Sequence, residues 1–196
     1  MKTIYILLTR SQTIVSRMVS LFTGAQYTHI SIAFESDLNP LYSSSRKNGR
    51  TILPAGPCHE YINKGYFGRH MDIPCILYTL EVSDEQYEAA HTQAKNIIAN
   101  ADIYHFNIIG LITCRLGICF HRENHYFCSQ LAGEILKRSG ALVIPREPVL
   151  LKPMDFTEFS ELTCIFIGTI RQLNEKIFGP SALPYPNKMA AIADHQ

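Results

Sequence analysis

Two residues of this sequence have surroundings that suit nucleophilic chemistry. Cys128 begins the segment CSQLAGEIL, whose apolar spacing predicts a helix, and the partial positive charge at a helix N-terminus stabilises a thiolate. His29 begins HISIAFE, whose strict alternation predicts a strand with His29, Ser31 and Ala33 on one face. These small neighbours leave room for another side chain to approach the imidazole. A cysteine nucleophile with a histidine base is therefore one hypothesis.

The simplest competing interpretation is that both residues are structural. Free cysteine behaves as a small apolar residue and is often fully buried, so Cys128 on the apolar stripe of a helix suits a core as well as a site. His29 on a strand face has the same alternative. A domain of this kind that binds a ligand without turnover is therefore an open alternative to an enzyme.

A zinc site is a third possibility, because five potential ligands lie between residues 114 and 128. They are Cys114, Cys119, His121, His125 and Cys128. Their spacing matches no common structural zinc pattern, and the segment HRENH lacks the glutamate that an HExxH metalloprotease has at the second position. We therefore expect neither a metal nor a cofactor.

The elements that hold Cys128 and His29 follow in a clear order. Strands are predicted at residues 4–9, 29–35, 41–44, 75–82 and 164–170, and helices at 11–24, 84–98, 106–118, 128–138 and 155–162. Ser83 and Gln86 form a capping box at the start of the helix predicted at 84–98, and the apolar segment 106–118 is expected to be a buried helix. Residues 54–74 hold three prolines and three glycines without sustained periodicity, so we expect a long irregular segment there.

Composition favours a globular chain with a single core. Hydrophobic residues make up 46% of the 196 residues, charged residues 18%, and the net charge is +1, so bulk charge indicates neither a nucleic-acid nor an anionic-membrane partner. No stretch reaches the roughly 20 apolar residues of a membrane span. The apolar start is too short for a secretion signal, which predicts a cytoplasmic protein with reduced thiols. We expect one domain over residues 1–173 and a proline-containing C-terminal arm over 174–196; oligomeric state stays open.

Two segments together resemble a known superfamily. YTHISIAF, followed by the short strand LYSSSRKN, and HYFCSQLAGEIL about a hundred residues later resemble the circularly permuted branch of the papain-like cysteine hydrolases. That branch is related to the NlpC cell-wall peptidases and includes the YiiX-like hydrolases and the lecithin retinol acyltransferase relatives. The histidine strand precedes the cysteine helix here, as in permuted members. The resemblance implies an α+β fold with an antiparallel sheet packed against helices.

The resemblance also implies catalytic roles. Cys128 corresponds to the nucleophile and His29 to its base, while a third residue, on the strand after the histidine, orients the imidazole. By register this position falls on Ser43, whose hydroxyl is a weaker acceptor than a carboxylate. Glu35 and Glu123 are the alternatives for this role.

The implied reaction is acyl transfer through a thioester on Cys128, with an amide, a peptide or a lipid ester as the small substrate. The basic segment of Arg46, Lys47 and Arg50 beside the site is expected to be either a solvated loop or a contact for an anionic substrate. The resemblance thus implies a thiol hydrolase of the amidase, peptidase or acyl hydrolase type.

Overall fold

The computed structural model of the chain describes residues 1–10, 26–46 and 55–180, with the side chain of residue 46 excluded. These described residues contain eight strands. They are β1 (Lys2–Thr9), β2 (His29–Ala33), β3 (Leu41–Arg46), β4 (Ala55–Glu60), β5 (Pro74–Val82), β6 (His105–Phe106), β7 (His125–Tyr126) and β8 (Thr163–Thr169).

Six of these strands form one antiparallel sheet in the order β4-β3-β2-β1-β5-β8, and β6 pairs with β7 in a separate parallel ribbon. Strand β1 lies in the centre of the sheet, where Tyr5 is opposite both Ala33 of β2 and Thr79 of β5. Its buried pattern follows from IYILL, which is apolar on both faces.

Five helices of the described residues surround the sheet. They are α1 (Gly65–Arg69), α2 (Asp84–Ala99), α3 (Ile108–Arg115), α4 (Cys128–Arg138) and α5 (Ile170–Phe178), with 3-10 turns at Pro148–Leu150 and Pro153–Glu158. The capping box predicted at Ser83 and Gln86 is present, with both of its hydrogen bonds, at the start of α2. None of these helices combines the length and the apolar character that crossing a membrane requires.

The sheet lies between two hydrophobic layers, as the alternation in β2 predicts. Ile30 and Ile32 point into the larger core, which also contains the buried faces of α2 and α4. Ala33 points to the opposite face, where Phe67 of α1 and Leu173 of α5 pack. The mixture of helices and an antiparallel sheet confirms the α+β class, and helices cover both faces of the sheet.

Two sequence predictions are wrong in detail. Residues 54–74 are not irregular throughout, because they contain β4 and α1. The apolar segment 106–118 is not a buried helix: α3 is shorter, and Ile112 is 58% exposed. An apolar segment without a polar face is typical of a buried helix, which is why the pattern was misleading here.

Other predictions lie partly outside the described residues. The helix expected at residues 11–24 and most of the basic segment 46–50 fall there, although the backbone of Arg46 forms the end of β3. The helix α5 runs to Phe178, and residues 181–196 of the expected C-terminal arm are also outside. The short helix predicted at residues 155–162 is instead a 3-10 turn at Pro153–Glu158.

Candidate active site

The first component of the site is His29, which lies at the start of β2 and opposite Thr9 of β1. Strands β2 and β3 pair through Ile32–Tyr42 and Ala33–Leu41, at the far end of β2 from His29. Closer to His29, the side chain of Ser43 donates a hydrogen bond to the carbonyl oxygen of Ile30 at 2.7 Å. This side-chain bond satisfies a backbone acceptor where the ladder between the two strands has ended.

The second component is Glu60, the last residue of β4. Its carboxylate oxygens lie 3.0 and 3.1 Å from His29 Nε2, and the side chains of both residues are only 12% exposed. A carboxylate only accepts hydrogen bonds, so Nε2 must carry the proton and donate it to Glu60. The carboxylate therefore fixes the tautomer and orientation of the imidazole.

Two serine hydroxyls hold this carboxylate in place. Ser31 Oγ donates to Glu60 Oε2 at 2.6 Å, and Ser45 Oγ donates to Oε1 at 2.7 Å. With His29, each oxygen of the carboxylate thus has two polar contacts. These hydrogen bonds explain how the charged carboxylate is tolerated at a buried position.

The third component is Cys128, the first residue of α4, which is 9% exposed. Its thiol lies close enough to the imidazole of His29 to be one of the causes that raise the pKa of that residue. Because Nε2 is directed at Glu60, Nδ1 is the ring nitrogen that remains to accept the thiol proton. The helix packs against β2 and β3, which brings its N-terminus to the His29 end of the sheet.

The charges of the site reinforce each other. Burial by itself lowers the pKa of His29, but the adjacent Glu60 carboxylate and the hydrogen bond with Cys128 outweigh it and raise that pKa well above its ordinary value. Burial raises the pKa of Glu60, yet the positive charge of His29 and the hydrogen bonds from His29, Ser31 and Ser45 bring it below its ordinary value. The two groups therefore favour an ionised pair.

Burial dominates the pKa of three other thiols. Burial and the adjacent Glu60 carboxylate raise the pKa of Cys58 to about 11, although Ser45 Oγ lies 3.2 Å from the thiol and favours a lower value. Burial also raises the pKa of Cys75 to about 12 and that of Cys114 to about 11. These three thiols remain protonated at neutral pH, whereas Cys128 contacts a base.

Ser43 lies beside the imidazole, with its Oγ 3.4 Å from His29 Nε2, but its proton is donated to Ile30. Glu60, not Ser43, makes the short contacts with the His29 imidazole. No sequence motif indicates Glu60. The alternative carboxylates do not take this position: Glu35 is exposed beyond the other end of β2, and Glu123 is exposed in the loop before β7.

The five potential zinc ligands lie in different surroundings. Cys114 is buried against Phe127, and Cys128 contacts His29. Cys119 Sγ lies 3.4 Å from His121 Nε2, while His125 donates from Nδ1 to the carbonyl oxygen of Glu123 at 2.7 Å. Within the part of the chain that the structure describes, no three or more His, Cys, Asp or Glu side chains are grouped to hold a metal ion.

Comparison with solved structures identifies a similar fold. The crystal structure of YiiX from Escherichia coli O157:H7, a protein described as a metalloprotein, matches with a TM-score of 0.57 over 85% of this chain and 97% of that chain. The protein has a YiiX-like fold. Sequence identity to YiiX is only 11%, so this match describes the fold alone. No protein-family model and no curated protein matches the sequence.

Proposed function

We propose that this YiiX-like protein is a thiol hydrolase of the permuted papain-like type, in which Cys128, His29 and Glu60 form the catalytic triad. The observation that carries the proposal is that one imidazole contacts both a thiol at a helix N-terminus and a buried carboxylate. Nucleophile, base and orienting acid are the three parts that thioester chemistry requires. The order of histidine strand and cysteine helix along the chain also supports the permuted type.

The proposed reaction starts from an ion pair in which Nδ1 of His29 already holds the proton of Cys128 Sγ, as the raised pKa of His29 favours. The thiolate attacks the carbonyl carbon of an ester or amide, and the imidazolium then protonates the departing alcohol or amine as the thioester forms. Water, deprotonated by His29, attacks the thioester; the carboxylic acid leaves, and the thiolate and the imidazolium are restored. Throughout, Glu60 holds Nε2–H and stabilises the positive charge of the ring.

Stabilisation of the oxyanion would come from the start of α4. The residue at its N-cap position is Phe127, whose side chain makes no capping hydrogen bond. The first backbone N–H groups of a helix have no partner within the helix, and they carry its partial positive charge. The backbone N–H of Cys128 is therefore suited to donate to the oxygen of the tetrahedral intermediate.

A metal-dependent reaction is the alternative that the description of YiiX suggests. The grouping of His, Cys, Asp and Glu in the described residues does not support it. Glu60 is also engaged by His29, Ser31 and Ser45, which leaves its oxygens committed to polar contacts within the protein. The proposed reaction therefore has no step through a metal.

Trapping of the acyl-enzyme tests the proposal. The native protein is mixed with p-nitrophenyl esters of short and long acyl chains, quenched in acid and mapped by mass spectrometry. We expect an acyl adduct on Cys128, a burst of p-nitrophenol, and loss of both in Cys128→Ala. Cys164→Ser is the matched control, because Cys164 is exposed and lies on β8, at the other edge of the sheet from β4.

The result can also favour the competing function. If none of the esters or their amide counterparts acylates Cys128, while one of them still protects it from alkylation, the protein is a binding module with the same fold. Acylation of Cys128 that continues unchanged in His29→Ala would instead contradict the proposed base.

A further inference from the structure

The two histidines of the β6–β7 ribbon lie side by side, outside the proposed triad. His105 of β6 and His125 of β7 are opposite each other in the parallel register. The centroids of their imidazole rings are 5.1 Å apart, and the ring planes are inclined at 51°. His105 is exposed and His125 is half-buried, so an ion from solvent can reach both rings.

The distance between the two rings suits a shared metal ion. An ion bound to an imidazole nitrogen lies about 2.1 Å from that nitrogen and therefore about 3.2 Å from the ring centroid. Two imidazoles bound at the tetrahedral angle then have centroids about 5.2 Å apart. The separation of 5.1 Å between His105 and His125 agrees with this value. The backbone thus already holds the two rings at the spacing that two ligands of one ion require.

The tautomer of His125 also suits a metal ligand. Its Nδ1 donates to the backbone carbonyl oxygen of Glu123 at 2.7 Å, because a carbonyl oxygen can only accept. Nε2 of the neutral ring therefore keeps its lone pair. Metal-binding histidines commonly have this arrangement, in which the other ring N–H donates to a carbonyl or carboxylate oxygen. The His105 ring makes no hydrogen bond or ion pair with another described residue, so either of its nitrogens is available to the ion.

Backbone hydrogen bonds fix the ribbon that carries the two histidines. The N–H of His105 donates to the carbonyl oxygen of Asn124 at 2.9 Å, and the N–H of Asn107 donates to that of Tyr126 at 3.2 Å. Ser44 Oγ of β3 donates to the same carbonyl oxygen of Tyr126 at 2.7 Å, which ties the ribbon to the large sheet. Because the strands are held in place before any ligand arrives, binding of an ion costs little ordering of the backbone.

We propose that His105 and His125 bind one divalent transition-metal ion of the kind that prefers imidazole nitrogen, such as Zn²⁺ or Ni²⁺. Water completes its coordination, because no third His, Cys, Asp or Glu side chain of the described residues joins the pair in a metal-binding group. The site is separate from the proposed hydrolase chemistry, since neither histidine belongs to the triad. The ion joins β6 to the segment that leads into Cys128, three residues after His125, and so stabilises the folded chain there.

Isothermal titration calorimetry with Zn²⁺ and with Ni²⁺ tests the site. His105→Ala and His125→Ala should each lower the affinity of the wild-type protein for these ions at least about tenfold, because one of the two protein ligands is lost. His121→Ala is the matched control at another exposed histidine, and it should leave this affinity unchanged. Mg²⁺, which prefers oxygen ligands, should not bind to the pair.

A competing pair of ligands is Cys119 and His121, whose Sγ and Nε2 atoms are 3.4 Å apart. Thiolate and imidazole together also bind Zn²⁺, so Cys119→Ser is titrated beside the histidine variants. Binding that is lost in Cys119→Ser and retained in His105→Ala would overturn the proposal. Equal affinity of wild type and His105→Ala, or equal affinity of wild type for Ni²⁺ and Mg²⁺, would overturn it as well.

Thermal unfolding provides a second readout and a check of folding. Ni²⁺ should raise the Tm of wild type, because an ion that binds only the folded chain stabilises it, and this increase should disappear in both histidine variants. Without metal, His105→Ala should keep the Tm of wild type, since its exposed ring has no hydrogen bond to lose, and an undiminished increase with Ni²⁺ in this variant would contradict the site. Cys128→Ala should bind Ni²⁺ like wild type, so the metal site is tested whether or not the protein is a hydrolase.

Discussion

Glu60 Oε2 lies 3.0 Å from His29 Nε2 although the two residues belong to strands that are not neighbours, since β3 separates β2 from β4. The contact crosses the small side chains of β3, and serine at residues 43 and 45 leaves the necessary space. A larger residue on this face of β3 would separate the carboxylate from the imidazole. The proposed triad therefore depends on three strands as well as on α4.

The first prediction concerns the charge of Glu60. Glu60→Gln keeps a side chain of similar shape but removes the negative charge that stabilises imidazolium, so kcat/KM for an ester substrate should fall by about a hundredfold or more. The decrease should appear in kcat, because the Glu60 carboxylate stabilises the imidazole ring most when His29 carries the additional proton. Measurement of initial rates over a range of substrate concentration and pH separates kcat from KM.

Ser43→Ala is the matched control for this change. Ser43 also lies near His29 Nε2, but it donates to Ile30, so its loss should lower kcat/KM by no more than about fivefold. If Ser43→Ala were as damaging as Glu60→Gln, the serine rather than the carboxylate would be the orienting residue.

The sequence could indicate His29 and Cys128 but not Glu60, for a physical reason. Their segments have clear periodicity, whereas β4 reads AGPCHE and includes Gly56 and Pro57, residue types that are depleted in strands. Proline is tolerated there because β4 is at the edge of the sheet. Only the pairing of β4 with β3 reveals that this segment is extended and that Glu60 faces the imidazole.

The helices α2 and α3 show the same limit of prediction from the sequence pattern. For α2, the capping box and a one-sided apolar stripe together specified both the start and the buried face of the helix. For α3, the apolar residues surround the helix, and only tertiary contacts at Gly110 and Cys114 decide which side is buried. Periodicity predicts a buried face only where the sequence has a polar one.

A second prediction concerns the pH dependence of stability. The raised pKa of His29 means that its stabilising contribution is fully present below about pH 6.5 and is lost as pH rises through the folded-state value. The lowered pKa of Glu60 means that its contribution is present above about pH 4.5 and is lost as pH falls through the folded-state value. The pair should therefore stabilise the protein most between about pH 4.5 and 6.5.

Urea unfolding at a series of pH values measures this contribution. The difference in free energy of unfolding between wild type and Glu60→Gln should be largest inside that window and should decrease on both sides. Glu158→Gln, at an exposed glutamate, should show no such maximum. A difference that is constant with pH would mean that the two groups do not form an ionised pair.

A third prediction distinguishes Cys128 by its reactivity with iodoacetamide. With His29 as proton acceptor, Cys128 should retain most of its alkylation rate near pH 6, where a free thiol with a pKa of about 8.5 is almost fully protonated. The exposed Cys164 serves as the internal reference in the same sample, because Cys119 has its own imidazole contact with His121. In His29→Ala, the alkylation rate of Cys128 near pH 6 should fall at least about tenfold. An unchanged pH profile of that rate would rule out the thiol–imidazole pair.

A fourth prediction concerns Ser31, which donates to Glu60 at 2.6 Å and is 1% exposed. Ser31→Ala should lower the free energy of unfolding by about 1–3 kcal/mol, because the buried carboxylate loses a donor that water cannot replace. In the Glu60→Gln background, Ser31→Ala should lower the free energy of unfolding by less. A double-mutant cycle from urea unfolding measures this coupling, and strictly additive effects would show that Ser31 does not act through Glu60.

The last prediction concerns Gly110, whose missing Cβ leaves room for the side chain of Asn107 that caps α3. A Cβ at this position would lie 2.1 Å from Asn107 Nδ2, the atom that donates to Gln130. In an exposed helix Gly→Ala stabilises by up to about 1 kcal/mol, but here displacement of a buried cap should outweigh that gain and destabilise the protein by about 1–3 kcal/mol. Ile109→Ala, at the exposed neighbouring position, should change stability by less than about 0.5 kcal/mol. If thermal unfolding showed Gly110→Ala to be more stable than wild type, Asn107 would not hold α3 against α4.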